Sequence, residues 1–207
     1  MKTRKVITVS RQLASGGRQI GKLLAKMLDI PFYDKELLSI AAKESGLSQA
    51  AFENADEQPT NSFLYNLSIN SQLMAGNYND YSAILNNDKL FVIQSEVIKK
   101  VAAQSPCVIV GRCADYILSD DPDLVSVFIH ASDDFRIGRI MEYEHIPESK
   151  AKSFITKADK KRGSYYNYYT GKRWDAAASY HLCLDSSVLG IEKTAAAIAA
   201  YLRAIEE

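Results

Sequence analysis

The N-terminal segment 7–28, "ITVSRQLASGGRQIGKLLAKML", constrains the fold more strongly than any other part of the chain. It runs from an apolar stretch through the small residues Ser15, Gly16 and Gly17 into apolar side chains at helical spacing. A helix that begins at such a loop presents backbone N–H groups and partial positive charge to one point, and glycines let an anion come close. The order predicts an α/β fold with a phosphate-binding loop at its first turn.

The other apolar runs predict the rest of the sheet. They occupy residues 5–10, 30–34, 107–111, 124–130 and 180–185, and are apolar throughout rather than alternating. Such runs are typical of parallel strands buried on both faces. Helical faces lie between them: Ile20, Leu23, Leu24, Met27 and Leu28; Leu90, Ile93, Val97 and Val101; Ile191, Ala195, Ile198, Leu202 and Ile205. We therefore predict a single domain, 1–207, with a parallel sheet of about five strands flanked by helices.

Two longer segments predict additions to this domain. Residues 45–88 fill most of the long gap before the run at 107–111, and their middle, 61–87, is rich in Asn, Ser and Tyr. The segment is interpreted as a helical insert that binds the acceptor, or as a surface excursion. Residues 140–175 are interpreted as a lid region. The tyrosines near the end of the lid region could stack on a base or pack beneath a loop: Tyr165, Tyr166, Tyr168 and Tyr169.

Composition narrows the function classes. Lys and Arg together number 25, as do Asp and Glu, so a broad basic surface for nucleic acid is not indicated. No apolar run approaches the ~20 residues that span a bilayer, and no signal-peptide core is evident, so a cytoplasmic location away from membranes is expected. Cys107, Cys113 and Cys183 lack metal-type spacing and are interpreted as reduced thiols, mostly in the core. Metal ligands and oligomeric state stay open.

The loop departs from the usual signature G-x-x-x-x-G-K-[ST]. In the alignment we prefer, Arg18 replaces the lysine and Gln19 replaces the hydroxyl residue, which keeps a cation near the phosphates. A loop one residue shorter would put Gly17 in the lysine place, and an ordinary glycine-rich turn is the further alternative. A side chain added at Gly17 is expected to block phosphate approach while leaving the fold largely intact.

Six segments together resemble the divergent branch of the cytidylate-kinase-like family, within the P-loop nucleoside monophosphate kinase superfamily. They are "SRQLASGGRQIG" (10–21), "IPFYDKELL" (30–38), "VIVGRCADYIL" (108–118), "FIHASDDFRIGRI" (128–140), "YYNYYTGKRW" (165–174) and "YHLCLDSS" (180–187). The resemblance covers nearly the full chain. It implies a P-loop kinase-like sheet, a monophosphate-binding insert, a lid, and transfer of the γ-phosphoryl group of ATP to a nucleotide, with CMP or dCMP as leading acceptors. It also implies magnesium, held largely through water and phosphate.

The resemblance and the loop pattern together give the candidate site residues. ATP and phosphate binding is expected from Ser10, Arg11, Ser15, Gly16, Gly17, Arg18 and Gln19. Catalytic candidates are Arg18, Arg136 and Arg162, because a guanidinium group binds two phosphoryl oxygens at once. Acceptor binding is expected from Asp34, Arg112 and Asp159.

Each of these assignments has a structural alternative. Asp34 could cap the following helix, and Arg112 could be a surface arginine. Asp159 and Arg162, three residues apart, could form an exposed ion pair on a helix. Arg139, three residues after Arg136, is interpreted as part of a solvated salt bridge.

One departure bears on the acceptor. Cytidylate kinases usually have Asp-Gly-Arg-Asp where this chain has Val110-Gly111-Arg112-Cys113. Both carboxylates that contribute to nucleoside recognition are therefore absent, and Asp115 lies two residues beyond Cys113. Phosphoryl handling is therefore better supported than a preference for cytosine. A kinase for a different small molecule, and a nucleotide-binding sensor without turnover, are the alternative functions.

Overall fold

The computed structural model describes residues 3–47, 50, 52 and 79–207. Most of the predicted insert, 45–88, lies outside the described residues. Of residues 79–86 only the helical backbone is described.

Five strands form one parallel sheet in the order β2-β3-β1-β4-β5. Their bounds are β1 Val6–Arg11, β2 Phe32–Tyr33, β3 Val108–Val110, β4 Leu124–His130 and β5 Leu182–Asp185. The predicted fold class is confirmed, and β4 has the predicted limits. The strands predicted at 30–34 and 107–111 are shorter in the structure. The first strand in the chain, β1, lies at the centre of the sheet, so the loop that follows it opens at the middle of the carboxyl edge.

Seven helices flank the sheet in the described part of the chain. They are α1 Gly17–Leu28, α2 Glu36–Ser45, α3 Asn79–Gln104, α4 Ala114–Ile117, α5 Asp133–Glu144, α6 Glu148–Thr170 and α7 Ser186–Glu206. Helix α7 is interrupted at Gly190, whose φ of 74° and ψ of 174° are not helical. No helix among the described residues is both long enough and apolar enough to cross a membrane.

The core consists of two apolar layers, one on each face of the sheet. Along β3 and the residue before it, Cys107 and Ile109 face the layer made by α2 and α3, whereas Val108 and Val110 face the layer made by α1 and α7. This arrangement explains why the strands are apolar at consecutive positions. Burial raises the pKa of Cys107 to about 12, as expected of a core thiol.

The predicted helical faces are largely buried, with exceptions at the ends. Met27 and Ile205 were assigned to apolar faces but are each 44% exposed. Helix α6 continues to Thr170 and carries the whole tyrosine cluster. Tyr165 and Tyr166 are buried in an aromatic cluster, so these two tyrosines pack in the core of the domain. The boundaries of the predicted lid stay a prediction.

Candidate active site

The loop between β1 and α1 has a tightly bonded backbone. Gln12 N–H donates to the Ile129 carbonyl at 2.9 Å, and Ile20 N–H donates to the Gly16 carbonyl at 2.9 Å. Ala14 and Gly16 adopt left-handed conformations, with φ of 61° and 81°. The loop is thus folded back at the carboxyl end of the central strand and leads directly into α1, the geometry in which a helix N-terminus receives an anion.

Gly17 is confined by the protein itself. A Cβ atom at this position would lie 2.5 Å from the Cβ atom of Arg11 and 3.3 Å from that of Ile129. The prediction that a side chain at Gly17 would leave the fold largely intact is therefore wrong: it would collide with β1 and β4 before any phosphate arrived. The glycine is needed for the close packing of α1 on the sheet.

Ser15 is buried and turned into the loop. Its hydroxyl group donates to the Gln12 carbonyl at 2.9 Å, and its own carbonyl accepts from the Ser186 hydroxyl at 2.6 Å. Ser186, the first residue of α7 and the one that follows β5, therefore bonds directly to the loop. Ser10, at the end of β1, is also buried.

A cavity of about 330 Å³ opens on this loop. Four arginines line it, and Glu144 is the one acidic residue among the described lining residues: the arginines are Arg11, Arg18, Arg139 and Arg162. The remainder of the lining comes from the loop, from the start of α1, including Gln19, and from α5, including Tyr143. A cavity with this excess of guanidinium groups beside a helix N-terminus suits a polyanion.

Arg18 bridges α1 and the end of β2. Its Nε lies 2.5 Å from Asp34 Oδ2, and its side chain is 57% exposed. The same residue lines the cavity on the loop, so it lies between the predicted phosphate site and the predicted acceptor site. Its assignment as the replacement for the P-loop lysine stays a prediction.

Asp34 receives two arginines. Arg112 Nη1 donates to the Asp34 carbonyl at 2.8 Å and lies 3.3 Å from Asp34 Oδ1, while Arg18 contacts the other carboxylate oxygen. Arg112 is 2% exposed, which contradicts the alternative that it is a surface arginine. The capping alternative for Asp34 is also contradicted, because Lys35 occupies the cap position of α2 and no side chain caps that helix.

The backbone after β3 is unusual. Gly111, Arg112 and Cys113 are consecutive left-handed residues, with φ of 73°, 57° and 55°. Each residue with a Cβ in this region costs about 1–2 kcal/mol, and such strain tends to occur at functional sites. Asp115, two residues further, is buried and accepts a hydrogen bond of 2.7 Å from the Tyr166 hydroxyl. Burial raises the pKa of Asp115 above its ordinary value.

Arg136 and Asp159 meet at the loop. Asp159 Oδ1 accepts from Leu13 N–H at 2.7 Å, Arg136 Nε donates to the Leu13 carbonyl at 2.9 Å, and Arg136 Nη2 pairs with Asp159 Oδ2. The Arg136 side chain is 5% exposed and that of Asp159 is 16% exposed, so Asp159 does not lie on an open helix surface. The sequence assigned them to different groups, one catalytic and one acceptor-binding, and those roles stay predictions.

Arg162 and Arg139 reach the loop from α6 and α5. Arg162 Nη1 donates to the Arg11 carbonyl at 3.4 Å. Arg139 Nη2 donates to Gln19 Oε1, and its guanidinium group lies 5.0 Å from the ring centre of Tyr143. The interpretation of Arg139 as part of a solvated salt bridge is wrong. Its only sequence signal was helical spacing from Arg136, and the position of α5 above the loop could not be read from the sequence.

A small cavity lies at the end of β3, beside the predicted acceptor residue Arg112. Ser10, Arg112 and Arg162 border a cavity of only about 10 Å³, which Tyr165, Tyr166 and Trp174 largely close. That volume is close to what a single water molecule needs. A cavity of this size does not hold a nucleotide.

The described residues contain no group of three or more His, Cys, Asp or Glu side chains arranged to hold a metal ion. Gln19, which the preferred alignment puts in place of the usual hydroxyl residue, accepts a hydrogen bond from Arg139. Near the loop, this donor set fits a magnesium ion that would arrive with the phosphates and keep most of its water ligands, rather than one held by a protein cage.

Comparison with solved structures identifies the fold. The chain superimposes on a shikimate kinase from Bacteroides thetaiotaomicron with a TM-score of 0.54 at 15% identity, covering 96% of this chain and 98% of that one. A gluconokinase from Sinorhizobium meliloti 1021 gives a TM-score of 0.53 at 14% identity, covering 100% and 98%. At these identities the likeness shows the fold alone, which is the P-loop kinase fold.

The family follows from the sequence itself. The model of the cytidylate kinase-like family matches residues 6–188, so the chain belongs to that family. An uncharacterized protein from Eubacterium ventriosum ATCC 27560 is similar over 97% of this chain and 99% of its own, with a TM-score of 0.71 and 28% identity. A search of curated proteins gave no match. Family and fold together support phosphoryl transfer as the general class of activity.

Proposed function

We propose that the protein transfers the γ-phosphoryl group of ATP to a small acceptor, with CMP or dCMP as the leading candidates. The observation that carries the proposal is the cavity of about 330 Å³ on the β1–α1 loop, with four arginines in its lining. Phosphoryl transfer requires little covalent chemistry from the protein, and depends on positioning and on cations around the moving group. This cavity supplies both.

The roles divide between backbone and side chains. The loop N–H groups and the start of α1, at Gly17, would hold the donor phosphates. Arg18 would take the place of the P-loop lysine, and Arg162 would follow the charge that develops on the γ-phosphoryl group. Arg139 joins them because its guanidinium group lines the same cavity. Magnesium would bridge the phosphates of ATP and neutralise part of their charge.

The acceptor would bind near Asp34 and Arg112, where two parallel strands end side by side. A different small acceptor is the second candidate, and a specific observation favours it. Val110 is fully buried and Cys113 is 3% exposed in the aromatic cluster, so neither position presents a polar group to a base. Phosphoryl handling does not depend on either residue.

The test is a panel of acceptors with γ-labelled ATP and magnesium. It includes CMP, dCMP, UMP and AMP, together with shikimate and gluconate, the acceptors named for the two kinases of similar fold. Turnover confined to cytidine nucleotides supports the leading proposal, and turnover with another member supports the second. ATP binding without turnover on any acceptor supports a sensor. Absence of ATP binding would contradict the assignment of the loop itself.

A further inference from the structure

We propose that Arg136 and Asp159 are positioning residues that hold the phosphate-binding loop in shape through the backbone of Leu13. The inference rests on the proposed function only in taking this loop as the binding site of the donor phosphates. Neither side chain needs to touch a phosphate for the role. This positioning role differs from the roles expected from the sequence, which were direct catalysis by Arg136 and acceptor binding by Asp159.

The contacts at Leu13 are complementary and complete. Its N–H donates to Asp159 Oδ1 at 2.7 Å, and its carbonyl accepts from Arg136 Nε at 2.9 Å. The remaining carboxylate oxygen, Asp159 Oδ2, pairs with Arg136 Nη2. Hydrogen bonds to charged groups are stronger than those between neutral groups, and these are largely shielded from water. One loop residue is thus held at both backbone groups by two side chains that also hold each other.

Apolar packing fixes the same part of the loop. Leu13 and Ala14 pack against a small cluster formed by Ile140, Ala151 and Ile155, which come from α5 and α6. Ala14 has a φ of 61°, a conformation that is unfavourable for a residue with a Cβ atom. Such a conformation persists only where the surrounding structure imposes it. The hydrogen bonds at Leu13 and this packing supply that restraint.

Arg136 is directed away from the phosphate cavity. Its Nη1 lies 3.8 Å from Asp133 Oδ1, and its other nitrogens contact Leu13 and Asp159. It lines a different cavity of about 440 Å³ between α5 and α6. Its effect on a bound phosphate therefore passes through the loop backbone.

The two positioning residues come from different helices, Arg136 from α5 and Asp159 from α6. A displacement of α6 removes the acceptor of the Leu13 N–H group. The shape of the phosphate loop and the position of α6, in the predicted lid, are therefore coupled.

The experiment compares Asp159→Ala with Asp133→Ala in the full chain. Both variants remove a carboxylate next to Arg136, but only Asp159 bonds to Leu13. Amide hydrogen exchange at Leu13 is followed by NMR, and the Kd for ATP is measured by calorimetry. In Asp159→Ala we expect exchange at Leu13 and the Kd to rise at least tenfold. In Asp133→Ala both should stay within threefold of the wild type.

A second variant, Asp159→Asn, keeps an oxygen acceptor for Leu13 N–H without the charge. Exchange at Leu13 should lie between the values for wild type and Asp159→Ala, and this variant carries the comparison if Asp159→Ala does not fold. Unchanged exchange at Leu13 in a folded Asp159→Ala variant, or faster exchange with wild-type ATP affinity, overturns the proposal. If the wild type binds no ATP, the proposed function fails, and exchange at Leu13 still decides whether the pair holds the loop.

Discussion

At the scale of single residues, Gly17 is required by packing, whatever its role toward a phosphate. Gly17 places α1 so close to β1 that even a methyl group would meet the Arg11 side chain at 2.5 Å. The contact is with a Cβ atom, which cannot move aside as the end of a flexible side chain could. The position therefore constrains the fold in the absence of any ligand.

We expect Gly17→Ala to lower the free energy of unfolding by about 1–3 kcal/mol, the usual cost of overpacking. The measurement is urea unfolding of the ligand-free protein. Gly138→Ala is the matched control, because Gly138 lies inside α5 and a Cβ there meets nothing within 4 Å. That control should gain up to about 1 kcal/mol through helix propensity. Equal effects at the two positions would contradict the packing argument.

Arg18 is the residue whose substitution should matter most for turnover. Arg18→Ala should lower kcat by orders of magnitude and weaken ATP binding less, since charge spreads over the γ-phosphoryl oxygens in the transition state. Arg18→Lys should restore activity only in part. An ammonium group is a compact point charge, so it does not reproduce the planar fork that bonds Asp34 through Nε and keeps both Nη groups for a phosphate.

Steady-state kinetics with saturating acceptor separate these effects. A kcat in Arg18→Ala equal to that of the wild type would favour the shorter loop alignment, in which no cation stands in the lysine place. Turnover in Arg18→Lys equal to that of the wild type would show that a point charge suffices.

At the scale of elements, α6 links the separate parts of the site. Asp159 contacts the phosphate loop, Arg162 contacts the end of β1, and Tyr166 donates to Asp115 in α4. These positions are spaced so that they share one side of the helix. The Asp115–Tyr166 hydrogen bond is buried.

Asp115 should make stability depend on pH. Burial raises the folded pKa of Asp115, while its hydrogen bond from Tyr166 and the charge of Lys172 lower it. The charge of Asp115 in turn raises the pKa of Tyr180. Because the folded pKa of Asp115 is above the unfolded one, the folded state binds the proton more tightly. The contribution of this group is therefore greatest below the unfolded pKa and is lost as pH rises through the folded pKa.

Asp115→Asn removes the loss of stability with rising pH, because the amide does not titrate. It keeps an oxygen atom that accepts the hydrogen bond from Tyr166. The difference in unfolding free energy, variant minus wild type, should therefore rise with pH from about 4 upwards. Urea unfolding at a series of pH values gives this difference, with Asp120→Asn at an exposed position as the control. A difference that is flat with pH, or that falls, would mean that Asp115 does not titrate with a raised pKa.

The sequence predicted the elements better than their contacts. Apolar runs and helical spacing gave the parallel sheet, because burial on both faces acts locally on each strand. The length of strand β2 was overestimated, because only Phe32 and Tyr33 pair with β3. The hydrogen bonds that Arg136 and Asp159 make to Leu13 could not be predicted. Leu13 and Asp159 are 146 positions apart and meet only once α6 packs on α5. Arg139 was missed for the same reason.

At the scale of the whole molecule, the site opens along the carboxyl edge of one parallel sheet. Among the described residues, a cavity of about 330 Å³ lies at the end of β1, where the donor phosphates are proposed to bind, and one of about 10 Å³ lies at the end of β3. Most of the predicted acceptor-binding insert, 45–88, lies outside the described residues. In the proposed function, selectivity for the acceptor depends on the groups around Asp34 and Arg112.

We expect this selectivity to be weak among nucleotide bases. Discrimination between bases of similar size needs polar groups aimed at the base edge, since a site built to bond a substrate group rejects an analogue that lacks it. Here Val110 is buried within β3 and Cys113 packs in the aromatic cluster, while the Arg112 side chain is directed to Asp34. In the proposed role the arginine would bind the phosphate common to all nucleoside monophosphates, and it would not distinguish their bases.

The measurement is kcat/KM for CMP, dCMP, UMP and AMP under the same conditions. We expect the preference for CMP over UMP to stay below about a hundredfold, which corresponds to about 2.7 kcal/mol of transition-state discrimination. The variant Cys113→Asp provides the matched comparison, because it introduces a carboxylate at the position where cytidylate kinases usually have one, and it should raise the preference for CMP over UMP. A preference above a hundredfold in the wild type would mean that other residues read the base, and it would contradict the inference from these two positions.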